Sequence, residues 1–122
     1  MPNLNTVELK AFVPAKDFGL SKRFYADLGF TMASEGGGVA YFRCGDCAFL
    51  LQDYYDEGLA RNLMMHLLVE DVDAWRTHVT ERGLVGAYGV RATEVETRPW
   101  RMRDFALTDP SGVLWRIGQN LP

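Results

Sequence analysis

Few side chains in this chain could act as nucleophiles or bind a metal through nitrogen or sulfur, since it holds two histidines and two cysteines. The cysteines lie in Cys44-Gly45-Asp46-Cys47, a spacing found in redox motifs and in half of a zinc site. A structural zinc site takes four ligands, and the sequence has neither a second cysteine pair nor a closely spaced histidine pair. Gly45-Asp46 is typical of a tight turn between two strands, so we expect Cys47 to be a small strand residue.

His66 is the residue best suited to acid–base chemistry. An imidazole can exchange a proton near neutral pH and could serve as the general base of a metal-free reaction. No nucleophile or paired acid accompanies His66 in the sequence, so we favour a role in hydrogen bonding a ligand or a neighbouring strand. The other histidine, His78, falls on a predicted helix and is expected at the surface.

The composition limits what the chain can bind. Of its 122 residues, 48% are hydrophobic and 24% are charged, which is the balance of one globular domain. A net charge of −3 without a cluster of Lys and Arg argues against nucleic acid as a partner. We see no signal-peptide pattern at the N-terminus and no apolar stretch near the ~20 residues of a membrane helix. We therefore expect a cytoplasmic domain that binds neither nucleic acid nor membrane.

The elements that must position these side chains recur in two copies. Each copy opens with a strand of alternating polar and apolar residues, followed by a helix that begins after an aspartate and ends at a glycine. These are Thr6–Val13, Asp17 and Gly29 in the first copy, and Leu63–Val69, Asp71 and Gly83 in the second. The same offset separates the two aspartates and the two glycines, which indicates one supersecondary unit used twice.

Three further strands are predicted after each helix. They are Phe30–Ser34, Val39–Arg43 and Cys47–Gln52 in the first copy, and part of Val90–Glu96, Asp104–Thr108 and Val113–Gly118 in the second. The polar segment Tyr54–Asn62 is expected to link the copies. We therefore predict one α+β domain over residues 1–122, with two βαβββ modules at about 5–56 and 62–120. Their curved mixed sheets should form a concave cleft.

Strand alternation predicts which side chains line this cleft. Leu9 and Met65 are expected on the helix-covered faces, and Trp75 and Trp115 in the core. The side chains expected to look into the cleft are Glu8, Lys10, Phe12, Met64, His66 and Leu68. Trp100 lies in a polar, arginine-rich loop before a strand, so we expect it to be exposed and to contact a ligand or a second chain.

Three stretches resemble the glyoxalase, bleomycin-resistance and extradiol-dioxygenase superfamily. They are Val13-Pro14-Ala15-Lys16-Asp17 with Phe24-Tyr25-Ala26-Asp27-Leu28-Gly29-Phe30, Gly45-Asp46 before an apolar strand, and Asp109-Pro110-Ser111-Gly112 with Leu114-Trp115-Arg116-Ile117. Together they span nearly the whole chain. Trp100, nine residues before Asp109, and the ending Arg116-Ile117-Gly118-Gln119-Asn120 most resemble the bleomycin-resistance branch.

The resemblance also implies where a metal would bind. Metalloenzymes of this superfamily hold a divalent ion with His, Gln or Glu side chains from the first and last strands of each half. The corresponding positions here carry Lys10, Leu50, Met64 and Arg116, and none of these suits a divalent ion. Shifting by two residues along the same strand faces finds only Gln52 and His66 as donors. We therefore expect no metal and no other cofactor.

A metal-free member of this superfamily is expected to bind rather than convert its ligand. The resemblance implies a protein that sequesters an antibiotic, with a glyoxalase-fold lyase or isomerase and a binder of a non-drug metabolite as the alternatives. We expect an aromatic, partly cationic small molecule, and a homodimer in which the first half of one chain meets the second half of the other. The predicted ligand-binding residues are Glu8, Lys10, Phe12, Phe42, Leu50, Gln52, Met64, His66, Trp100, Arg103 and Arg116.

Overall fold

The structure, a computed structural model, describes residues 1–122 and contains two four-stranded sheets. The strands are β1 (Phe12–Pro14), β2 (Thr31–Gly36), β3 (Val39–Cys44), β4 (Cys47–Gln52), β5 (Met64–Leu68), β6 (Glu96–Arg98), β7 (Met102–Thr108) and β8 (Leu114–Asn120). They lie in the orders β1-β4-β3-β2 and β5-β8-β7-β6. In each sheet the first and last strands pair in parallel and the other neighbours are antiparallel. Neither sheet closes on itself, and the predicted α+β class with mixed sheets is confirmed.

Four helices accompany the sheets: α1 (Phe18–Leu28), α2 (Glu57–Asn62), α3 (Val72–Glu81) and α4 (Leu84–Tyr88). The two long helices begin as predicted, because the carboxylate of Asp17 accepts the N–H of Leu20 at 3.1 Å and that of Asp71 accepts the N–H of Ala74 at 3.0 Å. Helix α1 ends at Gly29, whose φ of 125° is one that residues with a Cβ rarely adopt.

The helix-covered faces of both sheets pack into one core of 21 buried apolar residues. Phe49 on β4 and Trp115 on β8 meet there, with ring centroids 5.3 Å apart, and Tyr25 of α1 lies 5.6 Å from Trp115. Because side chains alternate along a strand, the opposite faces of both sheets point away from this shared core. One chain therefore presents two separate open faces.

The N-terminal strand is shorter than the alternation of Thr6–Val13 predicts. It covers only Phe12–Pro14, and Val7 and Leu9, expected towards the core, are 99% and 96% exposed. The last backbone contact of this segment with the sheet is the hydrogen bond from the Leu50 N–H to the Ala11 carbonyl, at 2.9 Å. Residues 1–10 find no strand partner within the chain, and alternation without a partner does not make a strand.

The predicted linker and the segment after α3 contain short helices. The linker Tyr54–Asn62 includes α2, whose start is capped by the Asp56 carboxylate accepting the Leu59 N–H at 2.8 Å. Helix α4 lies between Gly83 and Gly89, both with positive φ. The third strand from the end is β6, which occupies Glu96–Arg98 rather than part of Val90–Glu96. Both helices are too short for an apolar period to predict them.

Candidate functional site

The open face of the second sheet, called here the module-2 face, has a polar centre. The strand pairing places His66 of β5, Arg116 of β8 and Ala106 of β7 side by side in one row. Trp115 and Ile117 lie in the core, so Arg116 between them points outwards. Apolar or small residues flank the row on the same face, namely Met64, Leu68, Leu114 and Gly118.

The charges on the module-2 face centre on Asp104, a buried carboxylate that is only 1% exposed. Its Oδ1 accepts a hydrogen bond from Arg98 Nε at 2.8 Å, which raises the pKa of Arg98. Arg116 Nη1 lies 3.6 Å from the same oxygen, too far for a hydrogen bond, and is buried without a hydrogen-bond partner. Two guanidinium groups thus share one carboxylate, and Arg98 holds the hydrogen bond.

The open face of the first sheet, the module-1 face, carries a second charged cluster. The Glu8 carboxylate accepts a hydrogen bond from the Tyr41 hydroxyl, which lies 2.8 Å from both of its oxygens. It also lies 3.5 Å from Lys10 Nζ and 3.4 Å from Arg43 Nη1. The Tyr41 hydrogen bond, helped by the two cations, lowers the pKa of Glu8. The single carboxylate is therefore already paired with two cations of its own chain.

Large apolar side chains on or beside these faces remain exposed. Phe12 and Met64 are each 55% exposed, Leu68 is 50% exposed and Trp100 is 62% exposed. Trp100 stands in the turn between β6 and β7, at the edge of the second sheet. Exposed apolar side chains next to polar groups are typical of surfaces that bind a ligand or another chain.

The structure brings most of the predicted ligand-binding residues onto the two faces. The module-1 face carries Glu8, Lys10, Phe12, Leu50 and Gln52, and the module-2 face carries Met64, His66 and Arg116. Trp100 is exposed at the edge of the second. The two groups do not face each other within one chain.

Two predicted binding residues lie elsewhere because the strand register gives them the opposite face. Phe42 is 1% exposed and stacks on Phe49 in the core, with ring centroids 5.5 Å apart. Arg103 alternates onto the helix-covered side, where its Nη2 lies 2.8 Å from the Asp73 carboxylate of α3. A third expectation also fails, because His78 is half-buried and its Nε2 lies 3.1 Å from the Asp27 carbonyl rather than at the free surface.

Four polar residues of the two faces were missed or left open by the sequence analysis: Tyr41, Arg43, Arg98 and Asp104. Tyr41 is the neighbour of Phe42, which was predicted to bind the ligand, and alternation from Leu50 across the β3–β4 hairpin would have selected Tyr41. Asp104 is an acidic residue directly before the apolar run Phe105-Ala106-Leu107, and a carboxylate next to core residues signals a buried ion pair or a site. Its partner Arg98 depends on the turn between β6 and β7, for which the sequence carries no clear length signal.

A separate cavity of about 290 Å³ lies between α1, β3 and α3, away from both faces. It is lined by Leu28, Gly29, Cys44, Ala74, Trp75 and His78. Cys44 and Cys47 are free thiols opposite each other in the β3–β4 hairpin, and burial raises the pKa of Cys44. Gly45, with a φ of 58°, makes the turn between them as the sequence predicts.

The side chains at the open faces do not fit a divalent ion. Lys10 and Arg116 bring positive charge, and no group of three or more His, Cys, Asp or Glu side chains comes together anywhere in the chain. Glu8 and Asp104 are each already paired with cations, which leaves Gln52 on one face and His66 on the other as the unpaired donors. Even where two copies would bring these faces together, two donors are too few to hold a divalent ion tightly.

Comparison with known proteins identifies the family of this chain. The family model of the glyoxalase/bleomycin resistance protein/dioxygenase superfamily matches residues 4–117, and the chain belongs to that superfamily. None of the curated protein sequences matches the chain significantly. No helix of the chain is both long and apolar enough to cross a membrane.

Solved structures of this superfamily resemble the whole chain. A bleomycin-binding protein crystallised with bleomycin is 26% identical, with a TM-score of 0.80 over 94% of this chain and 99% of its own. A bleomycin resistance determinant encoded on the transposon Tn5 is also 26% identical, with a TM-score of 0.79 over 94% and 98%. A glyoxalase/bleomycin resistance protein from Catenulispora acidiphila is 27% identical, with a TM-score of 0.73 over 96% and 100%.

Proposed function

We propose that this chain is a metal-free small-molecule binding protein that sequesters an antibiotic without converting it. The observation that carries the proposal is its likeness, over nearly the full length of both chains, to a protein crystallised with bleomycin. The side chains of the open faces support binding without a metal. Lys10 and Arg116 are cations, and the apolar Phe12 and Met64 beside them are more than half exposed.

We further propose that the ligand is a flat aromatic molecule, stacked against Phe12 and Trp100. Both rings are exposed on or beside an open face, so each can stack with a flat aromatic ligand. A stacked aromatic pair contributes about 0.5–1.5 kcal/mol beyond the area it buries. The partly cationic character expected from the sequence gains no support from the faces, because Glu8 and Asp104 are each paired with arginine already.

The site is proposed to be complete only in a homodimer. A cleft lined by both faces needs the module-1 face of one copy to meet the module-2 face of the other, since the two point away from each other within one chain. The N-terminal segment supports this assembly. Its apolar residues Leu4, Val7 and Leu9 are 84%, 99% and 96% exposed, and such a segment is stabilised by pairing with another surface.

We place the protein in the cytoplasm. The chain has only two cysteines, whereas small domains of oxidising compartments are commonly rich in disulfides.

Binding and protection test the main proposal together. Bleomycin-type glycopeptides and a panel of aromatic antibiotics are titrated calorimetrically against the wild type, and the same compounds are given to a sensitive host that expresses the chain. We expect a dissociation constant below about 100 μM, equivalent to roughly −5.5 kcal/mol, for at least one compound that the host then survives. If no compound binds that tightly and no host is protected, the proposal is wrong.

One observation favours an enzyme as the second candidate. His66 is exposed on the module-2 face beside Arg116, so its imidazole could reach a bound substrate and act as a base for a lyase or isomerase reaction. Incubation of a bound compound with the protein, followed by mass spectrometry and chromatography, separates the two functions. A binder returns the compound unchanged, whereas an enzyme returns a product that is lost in His66→Ala.

A further inference from the structure

We propose that the module-2 face binds an anionic oxygen group of the ligand, such as a carboxylate, at Arg116. The inference rests on the proposed function, since it assumes that this face binds a ligand, and it adds the charge class of that ligand. It differs from the partly cationic ligand that the sequence suggested.

Arg116 occupies the centre of the face. It lies on β8 between β5 and β7, with His66 and Ala106 as its register partners. Neither neighbour supplies a carboxylate, and Ala106 ends at its Cβ. The guanidinium therefore projects from the middle of the sheet with a small side chain on one side and an imidazole on the other.

The hydrogen-bonding capacity of Arg116 is unused within the chain. A guanidinium carries five N–H donors in a planar fork that matches a carboxylate or phosphate. Nη1 of Arg116 is buried and has no hydrogen-bond partner, and the nearest carboxylate oxygen, Asp104 Oδ1, is 3.6 Å away. The Arg116 side chain as a whole is 33% exposed, so its remaining N–H donors are open to an acceptor that arrives at the face.

Asp104 cannot satisfy Arg116 because another arginine already holds it. Arg98 Nε bonds the Asp104 Oδ1 at 2.8 Å, and Arg98 Nη1 also lies 2.9 Å from Glu96 Oε2 at the exposed rim. The side chain of Glu96 is 64% exposed, so water screens its charge, whereas that of Asp104 is 2% exposed. At the buried centre of the face, two guanidinium groups lie beside one carboxylate, so the net charge there is positive.

The surroundings of Arg116 strengthen its attraction for an anion. Met64, Leu68 and Leu114 flank it on the same face. Met102 lies over Gly118, since a Cβ at position 118 would be only 2.8 Å from the Met102 sulfur. Charges attract more strongly in an apolar environment than in water, and a guanidinium can bind a carboxylate with two parallel hydrogen bonds.

These features select a flat apolar body with one anionic oxygen group. The body would lie on the methionine and leucine side chains, and the anion would meet Arg116, with His66 close enough along the row to add a hydrogen bond. Three naphthalene probes of the same shape separate the charge classes: naphthalene-2-carboxylate, naphthalene-2-carboxamide and naphthalen-2-ylmethylammonium. Each is titrated calorimetrically against the wild type, Arg116→Gln, Arg116→Lys and the control Arg103→Gln, whose guanidinium lies on the opposite side of the sheet.

We expect the wild type to bind the carboxylate at least about tenfold more tightly than the carboxamide, and the ammonium compound most weakly. Arg116→Gln should remove this preference and leave carboxamide binding unchanged, Arg116→Lys should keep part of it, and Arg103→Gln should match the wild type. Raising the NaCl concentration from about 50 to about 500 mM should weaken the binding of the carboxylate and leave that of the carboxamide unchanged. Thermal unfolding of each variant confirms that it is folded.

The outcomes that overturn the inference differ from those that overturn the proposed function. Equal binding of carboxylate and carboxamide would reject the anion site and leave an aromatic binding face intact. A carboxylate preference that survives in Arg116→Gln would assign the anion to other cations, such as Lys10 or Arg43, and reject Arg116. Absence of binding by all three probes rejects the anion site, and the proposed function then stands or falls on the antibiotic titrations alone.

Discussion

The hydroxyl of Tyr25 donates a 2.6 Å hydrogen bond to the carboxylate of Asp109, and both side chains are buried. The bond joins α1 of the first module to the turn before β8 of the second. The indole N–H of Trp115 donates to the same hydroxyl at 2.8 Å, and the other carboxylate oxygen of Asp109 accepts the N–H groups of Ser111 and Val113. This pair therefore fixes the two modules against each other within the core.

Replacing Tyr25 by Phe should lower the free energy of unfolding by about 1–3 kcal/mol, because it leaves a buried carboxylate short of one donor. Urea unfolding at neutral pH measures the loss. Tyr54→Phe serves as the control, since Tyr54 is half exposed and its hydroxyl makes no hydrogen bond. Equal midpoints for the two variants would show that the bond contributes nothing.

The same variant should change how stability depends on pH. Burial raises the pKa of Asp109 above its usual 3.8, so the folded chain holds this proton more tightly than the unfolded chain does. The contribution of Asp109 to the free energy of unfolding therefore decreases as pH rises from 3.8 through the folded pKa. Tyr25→Phe removes a donor that favours the carboxylate, so we expect its deficit against wild type to grow over that pH interval. A deficit that is constant with pH would contradict the assignment.

Asp27 should give the opposite pH dependence. Hydrogen bonds from Tyr88 and Arg82 lower its pKa below the usual 3.8, so its contribution is present above 3.8 and is lost as pH falls through the folded pKa. Asp27→Asn should therefore be less stable than wild type at pH 7, by about 1 kcal/mol or less since the pair is partly exposed. At acid pH the two proteins should be equally stable. Thermal unfolding across pH, with Asp53→Asn as the control, measures the difference. A deficit that persists at acid pH would contradict this.

Trp100→Ala should weaken binding of an aromatic antibiotic by about tenfold, or about 1.4 kcal/mol, without changing the melting temperature. The indole is 62% exposed, so its removal leaves the core intact while taking away a stacking surface. Isothermal titration calorimetry avoids the loss of the Trp100 fluorescence. Trp100→Phe should retain most of the affinity, and wild-type affinity in Trp100→Ala would exclude this residue from the site.

Light scattering at micromolar concentration should give a mass twice the 13.8 kDa of the chain. The double variant Val7→Glu, Leu9→Glu should shift the protein towards the monomer, because it places charge on apolar side chains that the dimer is proposed to cover. Val85→Glu, on the exposed side of α4, is the matched control and should leave the mass unchanged. A monomeric wild type would refute the dimer.

The purified protein should contain no stoichiometric transition metal, and treatment with a chelator should leave ligand binding unchanged. The reason is chemical, because Lys10, Leu50, Met64 and Arg116 occupy the positions where the resemblance implies metal ligands, and none of them suits a divalent ion. Elemental analysis tests this directly. One Zn, Ni, Mn or Fe per chain would contradict the expectation and would favour the enzyme candidate through His66 and Gln52.

Features set by local chemistry could be predicted from the sequence, and features set by partner strands could not. The caps at Asp17 and Asp71 and the turn at Gly45 depend on neighbouring residues, and the structure has them as predicted. Phe42 and Arg103 were assigned to the open faces, an error that alternation within their own strands would have avoided. Phe42 lies on the face opposite to Tyr41, and Arg103 shares a face with the core residue Phe105. Thr6–Val13 has the alternation of polar and apolar residues typical of a strand, but it has no partner strand for most of its length.

The centre of the candidate site could also be predicted only in part. Arg116 was identified as the residue at a metal position, but its unused hydrogen-bonding capacity depends on the shared carboxylate of Asp104. That arrangement follows from the β7–β8 pairing and from the turn that brings Arg98 back beside β7. No short-range pattern encodes the distance between residues on three different strands.

The shared core has made the two repeats unequal. The position equivalent to Tyr25, at the offset that separates Asp17 from Asp71, is Val79, which is buried and has no hydroxyl to offer. A chain built from two copies of the first repeat would bury two phenols without a carboxylate to accept them, and two copies of the second would bury the carboxylates without the phenols. Each repeat is folded around a chemical group that only the other supplies, so neither can replace the other in the core.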